Sequence, residues 1–292
     1  MKVRPMVPEF GCEILDLDPR TAGQGGFDEE FRALFRQYRL LLVRGREIGA
    51  TEQVRLVGLL APVTQEGTAG EDFTLVSTRP FEYVSGRDRI PFHSDYLFTH
   101  HGPIQVVSLC ALVMDLPEPT LYSSSIAAVR LLPAALRERL RRMRIVQCQT
   151  YTAEFDGGNR NRVSRGRDLP AGQFVQAEHP AIGRHPVTGE EVLLVSQSMT
   201  SHFVGLSDDD SDALFAEIER YQYCDANVLR HDWQIGDLVV WDNVALQHAR
   251  PRLAGHSDRT LRRVAGNPVP VRDIMTQVKP DPRRFTYRTH AQ

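Results

Sequence analysis

The sequence predicts an α+β fold in which a β-rich core is surrounded by helices. Short runs of β-branched and other apolar residues occur near both ends of the chain, and patterns with helical spacing lie between them. Strands at both ends with helices between them are typical of this fold class. The 292 residues, 41% of them hydrophobic, are enough for one large domain or two modest ones.

The first part of the chain alternates between strand and helix patterns. Residues 12–18 are predicted to form a strand, 27–39 an amphipathic helix and 40–45 a buried strand. A second helix is predicted over 50–61, with Thr51 as its N-cap.

The middle of the chain contains a strand, an interrupted helix and a polar segment. Residues 103–115 are rich in β-branched residues and predict a strand, and 123–143 predict a helix interrupted by Pro133. The segment 152–173 is polar and rich in glycine, with no apolar period. We interpret it as a mobile lid.

The last third returns to strands. Residues 185–197 predict a turn and a strand, and 207–223 predict a helix that Ser207 caps. Three short strands follow at 237–243, 245–251 and 259–266.

Composition excludes several classes of function. The formal net charge is −2 and no run of like charges forms a tail, which argues against a nucleic-acid partner. No signal peptide or apolar run of membrane-spanning length is present, so we expect a cytoplasmic protein without a membrane partner. The four scattered cysteines are expected to be reduced and mostly buried. The sequence does not determine the oligomeric state, and a homo-oligomer is one of the alternatives.

His93 and Asp95 lie two positions apart in a run of apolar and aromatic residues. In a strand, such residues share a face, so their side chains would converge and offer two ligands to a divalent metal. A hydrogen-bonded His–Asp pair on the surface is the alternative.

His248, at the end of a predicted strand, is the third potential ligand. Two histidines and a carboxylate form the facial arrangement of non-haem Fe(II) oxygenases, whereas a structural zinc site would require a fourth protein ligand. The remaining histidines are interpreted as surface or structural residues: His100, His101, His179, His185, His202, His231, His256 and His290.

Arg259 and Arg263 follow His248 and are four positions apart, which places them on one face of a strand. Two guanidinium groups beside a metal suit a dianionic ligand, since each can bind a carboxylate through two hydrogen bonds. An arginine-rich surface strand is the alternative.

Taken together, "HSD", "GDLVVWDN" followed by "QH", and the R-x3-R spacing resemble the taurine and 2,4-dichlorophenoxyacetate dioxygenase family. The resemblance implies a double-stranded β-helix, a cupin-like jelly roll with flanking helices, in one domain over 1–292. It also implies an enzyme that uses Fe(II), 2-oxoglutarate and O2 to oxidise a C–H bond of a small molecule, forming succinate and CO2.

The resemblance further implies roles for individual residues. The positions that match the iron ligands are His93, Asp95 and His248. Thr120 and Arg259 match the residues that hold the distal carboxylate of 2-oxoglutarate, and Arg263 matches the arginine near the metal-proximal carboxylate and the substrate. Thr120 follows Pro-Glu-Pro where the family usually has Gly-Gly-acid, and Val244 replaces an arginine.

The substrate is less defined by the sequence. Tyr96 and Met199 match positions that can face the substrate, and Gln65 and Glu66 are weaker candidates. Because Arg263 could attract an anion, a small or medium organic acid is the first expectation, with an amino acid or a natural-product intermediate as the alternative.

Two other classes of function remain at this point. A zinc or manganese hydrolase could use the same three ligands but would not need Arg259 and Arg263. A catalytically silent cupin-like protein could bind metal or ligand without forming succinate.

Overall fold

Two sheets, antiparallel except for one parallel pair, enclose the main hydrophobic core. The computed structural model describes residues 1–66, 71–78, 87, 89–148, 175–253, 255 and 258–275. The strands of these residues are β1 (Val3–Pro5), β2 (Cys12–Ile14), β3 (Leu40–Val43), β4 (Val63–Thr64), β5 (Thr74–Ser77), β6 (Ile90–His93), β7 (Val106–Met114), β8 (Pro119–Ser124), β9 (Arg144–Cys148), β10 (Gln176–Pro180), β11 (Ile182–Arg184), β12 (Glu191–Leu193), β13 (Thr200–Phe203), β14 (Val228–Asp232), β15 (Leu238–Asp242), β16 (Leu246–Arg250) and β17 (Arg259–Gly266). The helices are α1 (Gly25–Tyr38), α2 (Ala50–Gly58), α3 (Ser125–Leu131), α4 (Ala134–Arg141), α5 (Asp208–Gln222) and α6 (Val271–Met275).

The larger sheet follows the order β1-β2-β3-β15-β7-β17-β4, with β5 also paired to β17. The second sheet follows the order β14-β8-β16-β6, and smaller sheets join β10-β9-β13 and β11-β12. The parallel pair is β2 with β3. This mixed α+β architecture agrees with the predicted fold class.

The continuous apolar run of β3 is explained by its position inside the larger sheet. Leu40 and Leu42 pack into the core between the two sheets, whereas Leu41 and Val43 point to the opposite face. Successive side chains of a strand alternate between faces, so a strand covered on both sides needs apolar residues at every position.

Helices α1 and α2 cover the outer face of the larger sheet. Phe31 and Phe35 of α1 are buried there with Leu56 of α2. The prediction that Thr51 caps α2 is wrong: the chain becomes helical at Ala50, so Thr51 is inside the helix and Gly49 is at the cap without a side-chain bond.

Helices α3, α4 and α5 cover the other side of the molecule. The predicted break is confirmed, since α3 ends before Pro133 and α4 begins after it. Ser207 caps α5 as predicted, with its Oγ accepting from the backbone N–H of Asp210 at 3.1 Å. A cap of this kind contributes about 1 kcal/mol to stability.

The three predicted C-terminal strands are confirmed as β15, β16 and β17. The predicted lid, 152–173, lies outside the described residues. Across the part of the chain that the structure describes, no helix has the length and apolar character needed to cross a bilayer.

The cysteines differ in burial, and this difference can be tested. Burial raises the pKa of the Cys12 thiol to about 12 and that of Cys148 to about 11, and it also raises the pKa of Cys110. Cys224 alone is partly exposed. Because the thiolate is the reactive form, we expect Ellman's reagent at pH 8 to modify only Cys224 in the folded protein and all four thiols in denaturant. Rapid reaction of two or more thiols in the folded protein would contradict this.

Candidate active site

A cavity of about 340 Å³ opens between the two sheets. Its polar wall contains the three potential metal ligands, Arg259 and Arg263 of β17, and Arg250 of β16. Its apolar wall is formed by Val76, Ile90, Phe98, Leu109 and Met199. A cavity that is mostly apolar with a few convergent polar groups is typical of a small-molecule site.

Strand pairing brings the two histidines together. β6 pairs with β16 in antiparallel orientation, and His93 lies directly opposite His248. The centroids of the two rings are 4.1 Å apart. His248 is at the centre of β16 rather than at the strand end that the sequence predicted.

Asp95 reaches the same point by a different route from the one predicted. β6 ends at His93, so Asp95 lies in the following turn and the i, i+2 strand argument does not apply. Asn243 fixes this turn: its Oδ1 accepts from the backbone N–H of Asp95 at 3.1 Å, and its Nδ2 donates to the carbonyl oxygens of Asp95 (3.2 Å) and Ile104 (2.9 Å). Tyr96, next in the turn, has a φ of 65°, which is rare for a residue other than glycine.

The three side chains form a compact group of ligand atoms. One atom from each of His93, Asp95 and His248 lies within 4.8 Å of the others. Asp95 Oδ1 is 3.4 Å from His93 Nε2 and 4.0 Å from His248 Nε2. His93 Nδ1 lies 2.8 Å from the carbonyl oxygen of Pro91; donation of its N–H to that oxygen leaves the Nε2 lone pair for a metal.

The electrostatics of the group favour the forms that bind metals. Burial raises the pKa of Asp95, but the charge of Arg263 and the hydrogen bond with His93 outweigh it and hold that pKa well below its usual value. Burial and the neighbouring His93 lower the pKa of His248 to about 3. An ionised carboxylate and a neutral imidazole are the states that coordinate a divalent cation.

Arg263 holds the other oxygen of Asp95. Its Nη1 donates to Asp95 Oδ2 at 2.7 Å, while Nε and Nη2 donate to the two oxygens of Glu66 at 2.8 and 3.0 Å. The hydroxyl of Tyr96 also donates to Glu66, at 3.1 Å. Burial lowers the pKa of Arg263, but the two carboxylates raise it further than burial lowers it. Asp95 is therefore oriented with Oδ1 toward the imidazoles.

Arg259 and Thr120 are two further polar residues that line the cavity. Burial and the nearby charge of Arg250 lower the pKa of Arg259 to about 10, so its guanidinium stays charged at neutral pH. Its Nε is buried without a hydrogen-bond partner among the described residues. Thr120 Oγ1 accepts from Trp233 Nε1 at 2.8 Å, which leaves the hydroxyl proton free to donate. A buried donor without an acceptor fits a site that receives a carboxylate.

Of the four candidate substrate residues, three line the cavity and one, Gln65, does not. Tyr96 and Met199 line the cavity. Gln65 is exposed and donates to Asp72 at 3.3 Å, whereas its neighbour Glu66 lines the cavity.

Sequence reasoning missed the residues that hold the turn between β15 and β16. Asp242 accepts from the backbone N–H groups of Val244 and Ala245, both at 3.1 Å, and its Oδ2 lies 2.9 Å from Nε2 of the buried His185. This turn carries Asn243. The signal was the Asp-Asn pair after a buried strand, because both side chains stabilise turns by bonding nearby backbone.

Comparison with known proteins identifies the family. The model of the family described as "Taurine catabolism dioxygenase TauD, TfdA family" matches residues 2–265. An α-ketoglutarate-dependent sulfate ester dioxygenase of Pseudomonas putida is 26% identical over 281 residues, which cover 90% of this chain and 88% of that protein.

Solved structures show the same fold. A taurine dioxygenase from Burkholderia xenovorans superimposes with a TM-score of 0.72 at 21% identity, covering 91% of each chain. The structure of AAD-2 in complex with Mn(II) and N-oxalylglycine gives a TM-score of 0.73 at 20% identity, covering 92% of this chain and 98% of that one. With the family model matching most of its length, the chain belongs to the TauD/TfdA family and is a 2-oxoglutarate-dependent dioxygenase that uses Fe(II).

Proposed function

We propose that His93, Asp95 and His248 are the three protein ligands of Fe(II), and that the enzyme oxidises a C–H bond of a small molecule bound in the cavity. The observation that carries this proposal is the group of three ligand atoms within 4.8 Å of one another at the cavity wall. Three protein ligands leave the other positions of the metal open for the cosubstrate and O2.

Arg259 and Thr120 bind the distal carboxylate of 2-oxoglutarate in this proposal. The partnerless Nε of Arg259 and the available hydroxyl proton of Thr120 support it, since both donors belong to residues that line the cavity. When bound, Fe(II) and 2-oxoglutarate supply the oxidising chemistry, with succinate and CO2 as products. The protein itself orients the ligands and keeps the site largely apolar.

Arg263 acts on the metal site through Asp95. Because Arg263 donates to Oδ2 of Asp95, only Oδ1 of that carboxylate remains as a ligand atom. The hydrogen bonds of the Asn243 side chain to the backbone of Asp95, here called the clamp, fix the position of Asp95. Tyr96 and Met199, on the cavity wall, face the substrate.

We also propose that the two sheets form a double-stranded β-helix. Successive strands cross from one sheet to the other: β6, β8, β14 and β16 belong to the second sheet, and β7, β15 and β17 belong to the larger sheet. This alternation around a shared core is typical of a jelly roll.

The ligand set can be tested by spectroscopy. Anaerobic protein with Fe(II) and 2-oxoglutarate is expected to show a weak visible charge-transfer band, and His248→Ala to remove it because the metal loses one of three protein ligands. His100→Ala, which changes an exposed histidine, is the control and should keep the band. A band that survives His248→Ala would refute the assignment.

Arg259 and Arg262 of β17 provide a matched pair for testing cosubstrate binding. Arg259→Ala should weaken 2-oxoglutarate binding by about 30-fold or more, since it removes the charged partner of a buried carboxylate. Arg262, on the opposite face, bonds Gln53 and the carbonyl oxygen of Ile48, so Arg262→Ala should lower stability and leave the dissociation constant unchanged. Equal effects of the two variants on that constant, measured by titration of the band, would reject the role of Arg259.

The clamp on Asp95 is tested with two buried asparagines. Asn243→Ala should weaken metal binding by roughly 10- to 100-fold because Asp95 loses its support. Asn227 is equally buried but bonds the carbonyl oxygens of Ser124 and Gln222, so Asn227→Ala should lower the melting temperature without this loss of affinity. A metal affinity unchanged in Asn243→Ala, measured by Mn(II) titration, would show that the turn positions Asp95 without the clamp.

A further inference from the structure

We propose that the substrate binds near the metal as an uncharged, largely apolar molecule, and that Glu66 determines this preference by neutralising Arg263. The inference rests on the proposed function and specifies its substrate class. It reverses the first expectation from the sequence, in which Arg263 attracts an organic acid.

The hydrogen bonds of Arg263 are the first argument. Each of its three guanidinium nitrogens already donates to a carboxylate: Nε and Nη2 to Glu66, and Nη1 to Asp95. The fork that would bind an anionic substrate through two bonds is therefore occupied by Glu66. Two N–H groups remain, and these can donate to an uncharged oxygen.

Charge is the second argument. An anion brought to Arg263 would lie beside the carboxylates of Glu66 and Asp95, in a site where the side chains of all three residues are at most 17% exposed. Like charges repel strongly in such a poorly solvated environment, and displacing Glu66 would leave that carboxylate buried without its cation.

The positions of the other cations of the cavity, Arg259 and Arg250, are the third argument. Arg259 and Arg263 are four residues apart on β17, which corresponds to roughly 13 Å along a strand. Arg259 lies with Thr120 at the end of the cavity that the proposed function gives to 2-oxoglutarate. The third guanidinium of the lining, Arg250, is close enough to Arg259 for its charge to lower the pKa of Arg259. The apolar residues of the wall are Val76, Ile90, Phe98, Leu109 and Met199.

The first part of the test uses matched probes and the whole protein. Phenoxyacetate is compared with methyl phenoxyacetate, and decanoate with methyl decanoate, by calorimetric titration of the protein loaded with Mn(II) and 2-oxoglutarate. We expect the ester of each pair to bind at least about tenfold more tightly than the carboxylate. Tighter binding of the carboxylates would overturn the inference.

The second part tests Glu66 itself. Glu66→Gln keeps the shape of the side chain and releases the charge of Arg263, so the affinity for phenoxyacetate should rise at least about tenfold. Glu71→Gln removes the same charge from an exposed residue nearby and should change nothing. No gain in Glu66→Gln overturns the role of Glu66.

Each part of the test can decide the inference when the other part gives no result. A failure of the inference can also be distinguished from a failure of the proposed function. If no probe binds the unmodified protein measurably, the gain in Glu66→Gln decides; if that variant does not fold, the ester-to-carboxylate ratio decides. Loss of the charge-transfer band with Fe(II) would count against the proposed function. A normal band with a preference for carboxylates overturns only this inference.

Discussion

The pairing of β16 with its two neighbours is the constraint on which the site depends. β16 lies between β6 and β8, and His248 is registered opposite His93 on one side and Tyr122 on the other. A slip of one residue would turn the His248 side chain to the other face of the sheet. Because two strands fix this register, the two imidazoles are positioned by backbone hydrogen bonds of the core rather than by a loop that must become ordered when a metal binds.

The arginines of β17 show how one strand serves both faces of the larger sheet. Arg259 and Arg263 point into the cavity, whereas Arg262 points outward and bonds Gln53 of α2. Because side chains alternate between the two faces of a strand, the two arginines in the cavity lie on one face and Arg262, which holds α2 against the sheet, lies on the other. A change in the register of β17 would therefore affect the cavity and the packing of α2 together.

The sequence predicted the elements whose signals are local. The cap of α5, the break at Pro133 and the strands from 237 onward follow from residue pattern alone. β8 was missed because Thr120 follows prolines that resemble a loop. The turn at Asp95 was also missed, since it depends on Asn243, which is distant in sequence and bonds backbone atoms that any residue offers.

The pairing of Glu66 with Arg263 was beyond the sequence for a related reason. The position of an arginine in the sequence can suggest that it binds an anionic ligand. The number of its N–H donors that remain available, however, depends on which carboxylates the fold brings into contact with it. Here Glu66 comes from the segment after β4, far from β17 in the chain. Nothing in the local pattern around either residue indicates the contact.

Charge balance connects the metal site with the substrate region. Two carboxylates and three guanidiniums line the cavity, and the carboxylate of Glu118, outside the lining, acts on Arg259 by its charge. The six groups are Asp95, Glu66, Glu118, Arg250, Arg259 and Arg263. Their formal charges cancel, and a divalent metal with a dianionic cosubstrate also adds no net charge. An ionised substrate would therefore enter a site with no net opposite charge to compensate for its lost hydration, whereas an uncharged one loses little. The balance depends on Glu66, because without it the cavity would carry one excess positive charge at Arg263, beside the metal.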